Sequence, residues 1–190
     1  MVDSFPSPAP SKSAAAPAKE APSGVKVVGD GKILVAYFSC TGNTKALAEN
    51  AAKALNADLY CIEPAQPYME KDLDYHDKHS RSSVEMNDPK SRPAIGNKVD
   101  NMGKYETLVI AYPIWWGEAP RIMDTFMESC DFKGKTIVPI CTSGGSPLGN
   151  SARNLEPLAR GAIWKEGDRF SRSTSIDELK EFFEKAGILK

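Results

Sequence analysis

The segment "KILVAYFSCTGNTKALAENAAKAL", residues 32–55, decides the fold because two periodicities meet inside it. Residues 33–38 are a run of apolar strand formers, typical of a β-strand that is buried on both faces. From Thr44 onward, Leu47, Ala51 and Leu55 recur on one face of a helix. A turn rich in hydroxyl and amide side chains, residues 39–44, separates the two patterns. The segment therefore predicts a strand, a turn and a helix.

The same alternation continues to the end of the chain. Further strands are predicted at residues 57–64, 107–112, 135–143 and 162–170, and further helices at 119–129, 150–159 and after Ser175. Ser175 and Glu178 have the spacing of a capping box, and Gly187 ends the last helix. Strands that alternate with helices predict an α/β fold, with a doubly wound parallel sheet covered by helices on both faces.

One connection is longer than a crossover between neighbouring strands needs. It lies between Pro64 and Tyr105 and is rich in charged and turn-forming residues. It predicts a short helix and an extended loop, which could shape a substrate pocket or a partner surface.

Composition excludes several classes of protein. The chain has 190 residues and a formal net charge of −1, so it lacks the basic surface of a nucleic-acid-binding protein. No apolar stretch is long enough to be a transmembrane segment. The four cysteines have no metal-binding spacing. His76 and His79 lie three residues apart, but without a third ligand they predict a solvated pair and no metal site.

Residues 1–24 differ from the rest of the chain. They are rich in Pro, Ala, Ser and Lys and show no hydrophobic periodicity, which predicts a disordered tail before a single domain at residues 25–190. The tail lacks the pattern of a signal peptide. This favours a cytoplasmic protein. The alternative is a protein exported or tethered to a membrane through an N-terminal segment that has been removed.

Three loops follow the first, third and fourth strands, and the carboxyl ends of parallel strands are where ligands bind. The first loop, "SCTGNT", could simply cap a helix. It could also hold a phosphate on the free N–H groups of the helix N-terminus. It matches neither GxxxxGK[ST] nor GxGxxG, so a terminal phosphate monoester is the better candidate.

The other two loops add complementary features. The second, "PIWWGEAP", offers indole faces for stacking, unless both tryptophans are buried in the core. The third, "TSGGSPLG", exposes backbone groups to the polar edge of a ring, unless it is an ordinary flexible loop. A phosphate-binding turn, aromatic rings and a glycine-rich backbone edge would meet at the point where the strand order reverses. Together they describe a site for flavin mononucleotide (FMN).

These loops resemble the flavodoxin family. Ser39, Thr41, Gly42 and Thr44 match its [ST]-x-T-G-x-T phosphate loop. The second and third loops resemble the flavodoxin-like branch that carries tryptophan after the third strand. The likeness extends over residues 33–187. It implies a three-layer, five-stranded sheet in the order 2-1-3-4-5 and one bound FMN.

The resemblance also implies a set of cofactor-binding residues, and neither catalytic residues nor metal ligands. The implied contacts with the phosphate come from Ser39, the Cys40 backbone, Thr41, Gly42, Asn43 and Thr44. Those with the isoalloxazine ring come from Pro113, Ile114, Trp115, Trp116 and Gly117, and those with its pyrimidine side from Ser143, Gly144 and Gly145.

The predicted function is electron transfer between redox partner proteins, a donor and an acceptor. The phosphate loop holds its anion mostly with neutral donors. A residual charge about 8 Å from the ring, at an effective dielectric of about 20, costs about 2 kcal/mol. That cost lowers a one-electron potential by about 90 mV. Glu118 would act in the same direction.

Two alternatives remain open. One is an FMN-dependent NAD(P)H:quinone-type reductase whose pocket uses the 64–105 connection. The other is a flavin-free module that binds a phosphate ligand.

Overall fold

The computed structural model describes residues 25–26 and 32–189 of the chain. Its strands are β1 (Val25–Lys26), β2 (Ile33–Tyr37), β3 (Asp58–Cys61), β4 (Thr107–Pro113), β5 (Thr136–Thr142), β6 (Ile163–Trp164) and β7 (Asp168–Arg169). Its α-helices are α1 (Asn43–Leu55), α2 (Arg81–Asn87), α3 (Arg121–Ser129), α4 (Ser151–Leu155) and α5 (Ile176–Lys185). Short 3₁₀ turns occupy Glu70–Leu73, Met102–Lys104 and Glu156–Leu158. The predicted tail, residues 1–24, lies outside the described residues.

The strands form one sheet in the order β1-β3-β2-β4-β5-β6, and β7 also pairs with β5. Strands β2 to β7 run parallel, with Val35 of β2 opposite Leu59 of β3 on one side and Val109 of β4 on the other. With β2 counted as the first predicted strand, this is the order 2-1-3-4-5, so the predicted topology is confirmed. The short antiparallel edge strand β1 was not predicted.

The predicted fifth strand is divided into two pieces. β6 pairs with Thr136 and Ile137 at the start of β5, and β7 pairs with Ile140 and Cys141 near its end. Between the two pieces the chain passes directly over Pro139. A Cβ atom on Gly167 would overlap the carbonyl oxygen of Pro139 and lie 2.6 Å from its Cγ atom. Only glycine fits this approach, and the second piece then continues toward the carboxyl edge of the sheet.

The core lies in two layers because side chains alternate across each strand. Leu34, Ala36 and Phe38 face one layer, where they join residues of α3 such as Ile122 and Phe126. Val35 and Tyr37 face the other layer, where they join apolar residues of α1 and α5. Helices therefore cover both faces, as the three-layer prediction required.

The long connection between β3 and β4 contains the predicted short helix, α2, and packs beside β3. Buried Asn97 holds its distal end. The Tyr60 hydroxyl donates to Oδ1 of Asn97 at 2.8 Å, and Nδ2 of Asn97 donates to the Cys61 carbonyl oxygen at 2.8 Å. These bonds fix the last part of the connection to the sheet.

Candidate functional site

A cavity of about 690 Å³ opens where β2, β4, β5 and β7 end at the carboxyl edge of the sheet. Most of the residues that the sequence singled out line it. They are Ser39, Cys40, Thr41, Asn43, Thr44, Pro113, Ile114, Trp115, Trp116, Ser143 and Gly144. Gly42, Gly117 and Gly145 lie in the same three loops but do not line the cavity.

The first loop presents an open helix N-terminus to the cavity. Helix α1 begins after Gly42, which takes a left-handed conformation with φ of 85°, and no side chain caps the helix. The Gly42 N–H donates instead to Oγ of Ser39 at 3.1 Å. The structure therefore disfavours the helix-cap interpretation of this loop. The N–H groups of the first turn keep their capacity for an anion.

Thr44 and Cys40 face inward from this loop. The buried Thr44 hydroxyl lies 2.7 Å from the Thr142 hydroxyl, which links the first loop to the end of β5. Cys40 packs against the apolar core. Burial raises the pKa of its thiol to about 12, so the helix N-terminus does not make it a thiolate at neutral pH.

The tryptophan loop is a tight two-residue hairpin. The Trp115 N–H donates to the Glu118 carbonyl oxygen at 2.9 Å, and the Glu118 N–H donates back at 3.0 Å. Trp116 and Gly117 at its tip both have positive φ, 50° and 79°. A type I′ turn requires this of both central residues. Trp116 is thereby raised into solvent at the cavity wall.

The two indoles consequently differ in environment. The Trp115 ring makes edge contacts with the rings of Phe38 and Tyr68, each at 5.6 Å between centroids. Trp116 is 52% exposed and also lines the cavity. The interpretation that both tryptophans are buried in the core is wrong.

The third loop closes on itself. The Ser143 hydroxyl accepts from the Gly145 N–H at 3.3 Å and donates to the Ser146 carbonyl oxygen. Ser143 and Gly144 line the cavity next to the tryptophan loop, because Pro113 at the end of β4 is paired with Thr142 at the end of β5.

Two further segments line the cavity. The long connection, which the sequence suggested could shape a pocket, is one of them, and sequence reasoning missed the other. Leu73, Tyr75 and Ser82 come from the long connection, and Arg169, Phe170, Ser171 and Arg172 follow the last strand. The second segment carried a signal, because it stands at the carboxyl end of a parallel strand like the three loops that were considered. The signal was hard to recognise because this strand is interrupted at Gly167.

The charge of the cavity comes from this last segment. Within the described part of the chain, its walls carry Arg169 and Arg172 and neither aspartate nor glutamate. Glu118 lies outside it, beside a second cavity of about 390 Å³, where Nδ2 of Asn154 donates to both of its carboxylate oxygens. Glu118 therefore does not place a charge on the wall of the main cavity.

Two arginines of the long connection have structural partners. Arg81 pairs with Glu85 at 2.7 Å, and Arg92 pairs with Glu128 at 2.8 Å. Among the residues that the structure describes, no cluster of three or more metal-ligating side chains occurs. None of the described helices has the length and apolar character to cross a bilayer.

Comparisons with known proteins agree with this architecture. The family model described as Flavodoxin matches residues 32–186. The crystal structure of a predicted flavoprotein from Bacteroides eggerthii DSM 20697 matches this chain with a TM-score of 0.79. The two sequences are 51% identical, and the match covers 82% of this chain and 98% of that one. A second, from Bacteroides uniformis ATCC 8492, is 47% identical over 81% of this chain and 98% of that one, with a TM-score of 0.76.

A more distant structure shares the fold. It is a flavoprotein in complex with FMN from Lactobacillus acidophilus NCFM, 20% identical over 73% of this chain and 93% of that one, with a TM-score of 0.58. Among curated proteins, no sequence matches this chain.

Proposed function

The chain belongs to the flavodoxin family, and we propose that it binds one FMN at the carboxyl edge of its sheet and transfers single electrons between redox partner proteins. The observation that carries this proposal is the meeting of two features in one cavity. The uncapped N-terminus of α1 suits a phosphate, and the exposed Trp116 suits a flat ring.

The residues of the cavity fit this cofactor. The N–H groups at the start of α1, with Ser39, Thr41 and Asn43 beside them, would hold the phosphate. Trp116 would lie against the ring, and the backbone of Ser143 and Gly144 would border its polar edge. The bound flavin supplies the redox chemistry, and the protein orients it and sets its electrostatic surroundings.

The side chains of the cavity favour electron transfer over the two alternatives. Among the residues that the structure describes, those that line the cavity include no histidine, carboxylate or lysine, and the Cys40 thiol stays protonated at neutral pH, so no general base is at hand. This disfavours a reductase whose mechanism depends on a side-chain general base. The exposed Trp116 indole disfavours a flavin-free phosphate module, because a phosphate alone offers no flat ring for it to stack on.

A binding titration tests the proposal directly. Apoprotein would be titrated with FMN while tryptophan fluorescence and visible absorption are followed. Trp164→Phe sharpens the assay, because Trp164 lies in β6 and both remaining tryptophans then line the cavity. We expect uptake of one FMN at micromolar concentration, with strong quenching. Absence of uptake by the folded protein would contradict the proposal.

The mode of reduction separates the candidate functions. We expect the loaded protein to accept electrons in two one-electron steps and to donate them to a one-electron acceptor. Rapid oxidation of NADH or NADPH with a quinone present would favour the reductase instead. We propose the cytoplasm as its location, because the four cysteines are unpaired and disulfides are rare there.

A further inference from the structure

We propose that Arg172 contacts the phosphate of the flavin and makes the site selective for phosphorylated over unphosphorylated flavin. This inference rests on the proposed function and adds to it. The phosphate loop by itself offers neutral donors, and Lys45, the cation next to it in the sequence, is not among the residues that line the cavity. The structure places another cation, Arg172, beside this loop from a segment 129 residues away in the chain.

The position of the Arg172 guanidinium is the first argument. Its Nη1 donates to Oδ1 of Asn43 at 3.4 Å, and Asn43 is the first residue of α1. The guanidinium therefore stands beside the uncapped N–H groups at the start of the helix. A guanidinium has five N–H donors in a planar fork, which suits the oxygens of a phosphate.

The electrostatics of this end of the cavity are the second argument. A helix N-terminus carries a partial positive charge, which disfavours a cation placed next to it. No ion pair joins Arg172 to a carboxylate among the described residues, and Asp and Glu are absent from the cavity lining. Two positive features thus face one space without a counterion, and an anion in that space would stabilise both.

The segment that bears Arg172 is held in place by the fold. The Phe170 N–H donates to the Cys141 carbonyl oxygen at 2.8 Å, and the Phe170 ring packs on Phe182 at 5.0 Å between centroids. The next turn is tied to α1, because Nδ2 of Asn50 donates to the Thr174 carbonyl oxygen at 3.1 Å. The backbone beside Arg172 is thus already positioned, which lowers the entropic cost of binding.

Arg169 provides a matched comparison. It carries the same charge and lines the same cavity, but its Nη1 donates to the Ser143 carbonyl oxygen at 3.5 Å. It therefore stands at the third loop and not at the start of α1. A contribution that depends on contact with the phosphate should distinguish these two arginines, whereas a general effect of positive charge should not.

The test compares FMN with riboflavin, which has the same ring and lacks the phosphate. Dissociation constants would be measured for both ligands with the full chain and with Arg172→Gln, Arg172→Lys, Arg169→Gln and Arg160→Gln. Arg160 is exposed and away from the cavity. We expect Arg172→Gln to weaken FMN binding about tenfold or more and to leave riboflavin affinity unchanged.

The other variants define the specificity of that loss. Arg172→Lys should recover part of the FMN affinity, since it keeps the charge without the fork. Arg160→Gln should affect neither ligand, and Arg169→Gln should change the FMN-to-riboflavin ratio less than Arg172→Gln. The reduction potential of the FMN-loaded Arg172→Gln protein should be lower than that of the unchanged chain, because the phosphate charge is then less compensated.

Three results would overturn the inference. One is an unchanged FMN affinity in Arg172→Gln that retains its riboflavin binding. Another is an equal loss in Arg169→Gln and Arg172→Gln, which would indicate a general field. The third is failure of the unchanged chain to bind FMN, which would remove the proposed function as well and so is distinguishable from the first two.

Discussion

At the scale of single residues, the backbone of Trp116 carries strain that a binding role would explain. A bulky residue with φ of 50° is unfavourable by about 1–2 kcal/mol, and such strain concentrates at functional sites. Trp116→Asn should relieve it, because asparagine tolerates this conformation. We expect the apoprotein to become more stable toward urea by about 1 kcal/mol, while FMN affinity falls several-fold through lost stacking.

The neighbouring indole is the control for this prediction. Trp115→Ala should lower the free energy of unfolding by about 3 kcal/mol, because it removes ring contacts with Phe38 and Tyr68. Equilibrium unfolding of both apoproteins, together with FMN titration, measures the two effects. A less stable apoprotein in Trp116→Asn would show that the turn is not strained.

The sequence predicted loops that line the cavity but not the environment of each side chain within them. Adjacent tryptophans look alike in a sequence, and only the hairpin bonds between Trp115 and Glu118 reveal which one stands at the tip. The position of Arg172 beside the start of α1 could not be predicted from its neighbours in the sequence. Asn43 is 129 residues away in the chain, so their proximity depends on the assembled fold.

At the scale of elements, the two-piece fifth strand depends on Gly167. Gly167→Ala would force a Cβ atom against the Pro139 carbonyl oxygen, and backbone cannot yield as a flexible side chain can. We expect a loss of about 1–3 kcal/mol in the free energy of unfolding. FMN affinity should fall too, because β7 would shift and take Arg169 and Arg172 with it. Urea unfolding and FMN titration give the two readouts.

Gly103→Ala is the matched control for that change. Gly103 lies in a 3₁₀ turn, and a Cβ atom there would meet only the Asn101 side chain, at an ordinary 3.5 Å. Its stability should change little, and its FMN affinity not at all. Equal losses in both variants would mean that the approach of Gly167 to Pro139 does not govern the strand.

Elements with strong periodicity were predictable and those with weak periodicity were not. Strand β2 and helix α1 follow directly from apolar patterns in residues 32–55. The division of the fifth strand was not predicted, because it depends on the close approach of Gly167 to Pro139, a residue of another strand. The antiparallel pairing of β1 likewise depends on an edge of β3 that only the assembled sheet provides.

At the scale of the whole molecule, burial makes the free energy of unfolding sensitive to alkaline pH. Burial raises the pKa of all four thiols, to about 12 for Cys40 and Cys141. The same thiols ionise near pH 8.5 in an unfolded chain. Since the folded state favours the protonated thiol, the stabilisation is complete below about pH 8.5 and is lost as the pH rises toward 12.

The window from pH 8 to 9 isolates this effect. Lys104 and the tyrosines whose pKa burial or hydrogen bonding raises, Tyr37, Tyr60, Tyr68, Tyr105 and Tyr112, ionise only near pH 10 in an unfolded chain, so they change stability above this window. We expect the urea midpoint of the reduced protein to be constant from pH 7 to 8 and to fall steadily above 8.5. A fully buried thiol such as Cys141 contributes a slope of up to about 1.4 kcal/mol per pH unit. Cys141→Ala should be less stable at pH 7 and show a shallower decline. A midpoint that does not change between pH 8 and 9 would contradict the burial of these thiols.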